Sequence, residues 1–124
     1  MASMQTTIAS FGYKHGLPLD ADIVLDVRFL PNPHWVEALR PHSGLDDDVR
    51  TYVLGQDAAG SFLDRVEELL ASLVPAYVAE GKSYLTVAIG CTGGRHRSVM
   101  IAEALKKALS TVKGVRLRVK HRDS

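Results

Sequence analysis

The spacing of apolar positions changes several times along the chain, and each change marks an element. Residues 6–11, Thr-Thr-Ile-Ala-Ser-Phe, read as a short strand. Gly12 to Pro18 hold two glycines and a proline, which predicts a loop. Residues 23–30, Ile-Val-Leu-Asp-Val-Arg-Phe-Leu, are β-branched and almost continuously apolar. They predict a second strand in a sheet covered on both faces. Pro31-Asn32-Pro33 stops it, because proline lacks the ladder donor. Asp46-Asp47-Asp48 suits a solvated helix start, with Val49, Tyr52 and Val53 at helical spacing behind it. From Ser61, Phe62, Leu63, Val66, Leu69, Leu70, Leu73 and Val74 form one stripe. Ser61 and Asp64 resemble a capping box, Pro75 is a candidate kink, and Gly81 ends the helix.

Residues 84–89, Tyr-Leu-Thr-Val-Ala-Ile, form the clearest strand, followed by a glycine-rich turn from Gly90 to Gly94. Residues 96–110 read as a helix with Val99, Ala102, Leu105, Ala108 and Leu109 inward. Val115, Leu117 and Val119 then alternate with Arg116, Arg118 and Lys120, a strand with one basic face. Strand, helix, strand at this spacing implies a right-handed parallel crossover. The fold class expected is α/β: a small layered domain with a mostly parallel four-stranded sheet flanked by helices.

Length adds that this is one domain: 124 residues, 46% hydrophobic and 23% charged, are enough for a real core. No apolar run is long enough to span a membrane. The single cysteine, Cys91, allows no intrachain disulfide and suits a reducing, cytoplasmic setting. The opening Met1-Ala2-Ser3-Met4 has two methionines, so residues 1–5 read as a tag or disordered start and 6–122 as the domain. Charge is lopsided. Residues 1–94 hold 6 Lys/Arg against 12 Asp/Glu, and residues 95–124 hold 9 against 2. A basic C-terminal quarter points to an anionic partner.

The chemistry concentrates in Gly90-Cys91-Thr92-Gly93-Gly94-Arg95-His96-Arg97-Ser98, between a buried strand and a helix. Ligands of open α/β sheets bind at such places. Glycines let backbone N–H groups turn inward, and a helix N-terminus favours an anion. Arg97 can offer phosphate a bidentate pair, and Arg95 and His96 add positive or donor groups. Cys91 through Ser98 is therefore the candidate ligand loop. Asp26, Arg28, Asn32 and His34 lie at the end of the second strand. If that strand neighbours the one ending at Gly90, Arg28, Asn32 and His34 face the same crevice. The alternative is an Asp26–Arg28 network that only holds the following loop. Trp35 reads as core. His15, His42 and His121 have no metal-site spacing, so neither a metal nor another cofactor is expected.

Gly90–Ser98, followed by Val99, Ala102 and Glu103, resembles the C-terminal domain of the RapZ (RNase adapter) family. Asp26-Val27-Arg28-Phe29-Leu30-Pro31-Asn32-Pro33-His34-Trp35, Ser10–Gly16 and Ser83–Ile89 match it in the same order. The resemblance implies binding of a phosphorylated amino sugar, glucosamine-6-phosphate. It also implies contact with small RNA and an endoribonuclease, and a homo-oligomer. No Gly-x-x-x-x-Gly-Lys-Ser/Thr segment occurs here, so the family's P-loop domain and its nucleotide hydrolysis are not expected in this segment. A separate P-loop partner could supply them. Arg95 stands where the family often has lysine, and the tail after His121 is short.

Three functions compete on these residues. One is a metabolite-sensing module. A second is a cysteine phosphatase, since Cys91, Arg97 and Ser98 have the spacing of a thiolate, a phosphate-binding arginine and a helper hydroxyl. That chemistry also needs an acid from another loop, for which Asp46, Asp47 or Asp48 can be nominated with nothing to single one out. The third is a pure RNA adaptor whose loop grips a backbone phosphate, with the Arg116, Arg118, Lys120 and Arg122 stripe able to follow the nucleic-acid backbone; the bland alternative for the stripe is an edge strand kept soluble by charge.

Overall fold

The structure, a computed structural model, describes residues 3–124. Its strands are β1 (Met4–Gly12), β2 (Ile23–Asp26), β3 (Tyr84–Cys91) and β4 (Val115–His121). Its helices are α1 (Asp47–Leu54), α2 (Asp57–Glu80) and α3 (Arg97–Leu109). The strands pair in the order β2-β3-β1-β4. Every pairing is parallel, so the sheet is parallel throughout.

Alternation along the strands sorts the two faces. Ile8 stands beside Val87 and Val119. This face joins Met4, Leu85 and Ile89 to Val66, Leu70 and Val74 of α2 and to Met100, Ile101, Leu105 and Leu109 of α3 in one core. The other face is mostly small or polar, with Thr7 beside Thr86 and Arg118 and Ala9 beside Ala88 and Lys120, and with the buried Phe11 ring against Gly90 at its C-terminal end. The topology explains the asymmetry. The β2–β3 and β3–β4 crossovers move the same way across the sheet, so right-handedness puts their helices on one face. The β1–β2 connection moves the opposite way and has only one turn of 3-10 helix, Tyr13–His15.

Several expectations are corrected. β1 begins at Met4, not at residue 6, and Met4 is wholly buried in the core. Met4 and Gln5 therefore belong to the fold rather than to a tag, while residues 1 and 2 lie outside the described residues. β2 stops at Asp26, not Leu30, and it is an edge strand with Val24 exposed. The apolar Val27 and Leu30 are buried all the same, packed from a turn instead of a strand. α2 starts at Asp57, so Ser61 and Asp64 are inside the helix and form no capping box. It runs on through Pro75, which is exposed, and ends at Gly81 in the left-handed conformation. Trp35 is 77% exposed and is not core.

Met4→Ala removes a fully buried side chain. We expect it to lower the unfolding free energy by about 2–4 kcal/mol in urea titration, whereas a disordered start would leave the midpoint unmoved.

Candidate anion-binding site

Parallel pairing puts the C-terminal ends of all four strands on one rim. A cavity of about 340 Å³ opens there, a size suited to a small molecule. Lys14 and His15 line it from beyond β1, Asn32, His34 and Trp35 from beyond β2, Cys91, Thr92, Gly93, Arg95, His96 and Arg97 from the β3–α3 connection, and Asp123 from beyond β4. Larger hollows exist, a 690 Å³ groove between α1, α3 and β4 and an 880 Å³ groove along α1 and α2. Neither touches the glycine turn, the strand-end histidines or the cysteine.

The glycine turn is built by close approach. A Cβ on Gly12 would lie 2.4 Å from the Gly93 carbonyl carbon, so β1 meets the turn backbone to backbone. Gly94 has φ +81°, a conformation that side chains rarely tolerate, and its N–H donates to Cys91 Sγ at 3.3 Å. The buried Cys91 thiol lies 3.1 Å from Ser98 Oγ. The Lys14 N–H donates to the Thr92 carbonyl, which draws the turn after β1 over the loop. At the helix start, Met100 N–H closes the first bond of α3 to His96. The N–H groups of Arg97, Ser98 and Val99 lie before that ladder, at the positive end of the dipole.

Arg97 is only 4% exposed and has two faces of work. Its Nη1 donates to the carbonyls of Arg28 and Leu30, each at 2.9 Å. It thereby ties the turn after β2 to the start of α3. On the other side, Nη2 lies 3.4 Å from Thr92 Oγ1, and Nε is buried with no partner. A buried donor left without a partner is costly.

The remaining predicted residues divide. Thr92 and Arg95 are exposed at the mouth, with Arg95 Nη2 3.3 Å from the Pro41 carbonyl. Asn32 accepts the His34 N–H, which shapes the turn presenting His34 and Trp35. Gly94 and Ser98 are buried beneath the loop and do not line the cavity. Arg28 does not line it either. Its guanidinium forks onto Asp26 and stacks 3.8 Å from the centre of the Tyr13 ring. The hydrogen bonds from Arg28 hold the Asp26 carboxyl below its ordinary pKa. Arg28 thus builds the loop-holding network rather than a second side of the site.

His96 takes the donor role, one of the two expected of it. Burial lowers its pKa, and its ring Nε2 donates to the His42 carbonyl. That bond spends the ring's Nε2 donor inside the protein, and the lowered pKa weighs against a positive ring. Lys14, His15, Trp35 and Asp123 were not anticipated as lining. The sequence signal for Lys14 and His15 was their place in a matching motif; Asp123 had none.

The basic stripe is partly spoken for. Arg116, Arg118 and Lys120 are exposed on the helix-free face, and Arg118 Nε donates to Thr7 Oγ1. Arg122 is turned back onto Asp123 and the Gly16 carbonyl. Among the described residues no group of histidine, cysteine and acidic side chains could hold a metal. Among the described residues no helix is long and apolar enough to cross a membrane.

Residues 4–124 match the family model described as the RapZ C-terminal domain. The chain belongs to that family. A nucleotide-binding protein of Mycolicibacterium smegmatis is 61% identical over 99% of this chain and 42% of its own length. One of Rhodococcus jostii is 55% identical over 98% of this chain and 40% of its own. The RapZ C-terminal domain seen here therefore spans about two-fifths of the relatives it matches.

Two outcomes test this geometry. Arg97→Ala leaves two loop carbonyls without their donor and should cost about 2–4 kcal/mol of stability in urea titration; a loss below 1 kcal/mol would mean the strut is dispensable. His96 has a folded pKa below its ordinary 6.5. The unfolded state takes up the proton first, so stability is present above that value and falls as pH drops from 7 toward 5. His96→Gln should flatten this fall; an unchanged slope would contradict the assignment.

Proposed function

We propose that this domain is a binding module for a small phosphorylated sugar, of the glucosamine-6-phosphate kind, held at the rim of the sheet. The observation that carries the reading is Arg97: a buried guanidinium with an orphaned Nε, beside a glycine turn and a helix N-terminus. Lys14 and Arg95 add charge at the mouth, and the exposed Trp35 offers an apolar ring face of the kind that packs on sugars. The relatives' name, nucleotide-binding protein, fits a phosphate-bearing ligand without fixing the sugar.

The output of such a module is regulatory. Occupancy would alter engagement of an RNA at Arg116, Arg118 and Lys120, with an endoribonuclease as the downstream partner, in the cytoplasm and in a homo-oligomer. Arg122 contributes less, because Asp123 already holds it. A P-loop region, whether in the same polypeptide or a partner, would complete the system.

Cysteine phosphatase chemistry is the weaker reading. The Cys91, Ser98 and Gly94 contacts would suit a thiolate. The nominated acids, however, do not reach it: Asp46, Asp47 and Asp48 stand at the start of α1, outside the cavity lining, and the Asp123 carboxylate that does line it is engaged by Arg122 and the Gly12 N–H.

Calorimetric titration with glucosamine-6-phosphate tests the proposal, with glucosamine and inorganic phosphate as controls. The intact sugar phosphate should bind, and Lys14→Ala or Arg95→Ala should weaken it about tenfold each through a lost charge-assisted contact. Cys91→Ser should leave affinity within about twofold. Absence of heat with every compound would overturn the reading.

A further inference from the structure

We infer that the groove between α1, α3 and β4 docks an acidic amphipathic helix of a partner protein. The sheet order creates the groove. Both α1 and α2 lie in the β2–β3 crossover, α3 alone lies in the β3–β4 crossover, and β4 is an edge strand. The apolar row of β4 is therefore short of cover: Val115 and Leu117 are only half-buried, whereas Met4 and Ile8 of the neighbouring β1 are wholly buried. Leu45 and Leu54 line the same 690 Å³ groove and are 57% and 38% exposed. No residue lines both this groove and the strand-end cavity, so the inference stands apart from the sugar-phosphate reading.

The charge of the groove is one-sided. Arg50 of α1 and Lys106 and Lys107 of α3 line it and are exposed. Among the described residues none of the three joins an ion pair. Lys106 and Lys107 suit the negative end of the α3 dipole. Arg50 stands one turn into α1, where the dipole does not call for a cation. The one carboxylate among the described lining residues, Glu103, is engaged by His121 at 2.9 Å. Aliphatic surface beside unpaired cations is complementary to a segment that carries aliphatic side chains and carboxylates together. An amphipathic helix laid in a groove supplies both. RNA suits it less, because single strands seek aromatic platforms and none of the described lining residues is aromatic. A second copy also suits it less. The acidic groove along α1 and α2 offers Asp57, Asp64, Glu67 and Glu68, but Leu54 is its one large aliphatic side chain.

The probe is a fluorescein-labelled synthetic peptide of about 15 residues, with leucines at i, i+4 and i+7 and glutamates flanking them. One control carries lysine for every glutamate, and another carries serine for every leucine. In fluorescence anisotropy the wild-type chain should bind the glutamate peptide about tenfold tighter than either control. Arg50→Glu combined with Lys106→Glu should weaken that peptide about tenfold and tighten the lysine peptide. Leu54→Ala should weaken the glutamate peptide about threefold. All three side chains are exposed, and a urea midpoint checks that the fold is kept. No anisotropy change with the glutamate peptide up to about 1 mM chain, equal binding of the three peptides, or indifference to the groove substitutions overturns the inference. Sedimentation in which the charge reversal breaks a wild-type oligomer, or RNA binding that it abolishes, assigns the groove to another occupant and overturns it too.

Discussion

The register of β1 on β3 is the constraint from which the rest follows. Gly12 pairs with Cys91, and β1 also carries β4 in parallel on its far side. Because all the described pairings are parallel, each strand delivers its following segment to the same rim. Contact between Gly12 and the Gly93–Gly94 backbone then fixes how closely those loops approach, since any Cβ at Gly12 would collide with it. The cavity is a product of sheet direction first and of side-chain chemistry second.

Arg97 translates that arrangement into a preorganised site. Most buried arginines meet a carboxylate; this one meets two backbone carbonyls and leaves part of its donor set unmet. The same side chain therefore holds the β2 turn and faces the place where an anion would sit. At the other end, His121 spans Ser10 and Glu103, at 2.7 and 2.9 Å, and seats the end of β4 on β1 and α3. With Arg122 N–H donating to the Ser10 carbonyl, the tail that carries Asp123 is held by the sheet itself.

Much of this was legible in the residues, for physical reasons. Core strands β1, β3 and β4 and helices α2 and α3 show their period, because burial on one face selects it. The short β2 misleads for the same reason. Val27 and Leu30 are apolar because they are buried, but the burial belongs to a turn held by Arg97, which no periodicity encodes. Trp35 misleads in reverse: a large aromatic reads as core, yet it stands 77% exposed at the cavity. The glycine turn was legible because its composition is its mechanism. Asp123 was not, since its place depends on β4 lying beside β1, a pairing between residues 111 positions apart. Basic side chains at 116, 118 and 120 were placed correctly on one face, while Arg122 was drawn away by its neighbour.

The most direct measurement is a backbone amide NMR titration with glucosamine-6-phosphate. The account predicts shifts in four separate stretches at once: Lys14 and His15, Asn32 to Trp35, Thr92 to Arg97, and Asp123, with the α1–α3–β4 groove quiet. Shifts confined to that groove or to Arg116–Lys120, with the four strand ends unmoved, would contradict it.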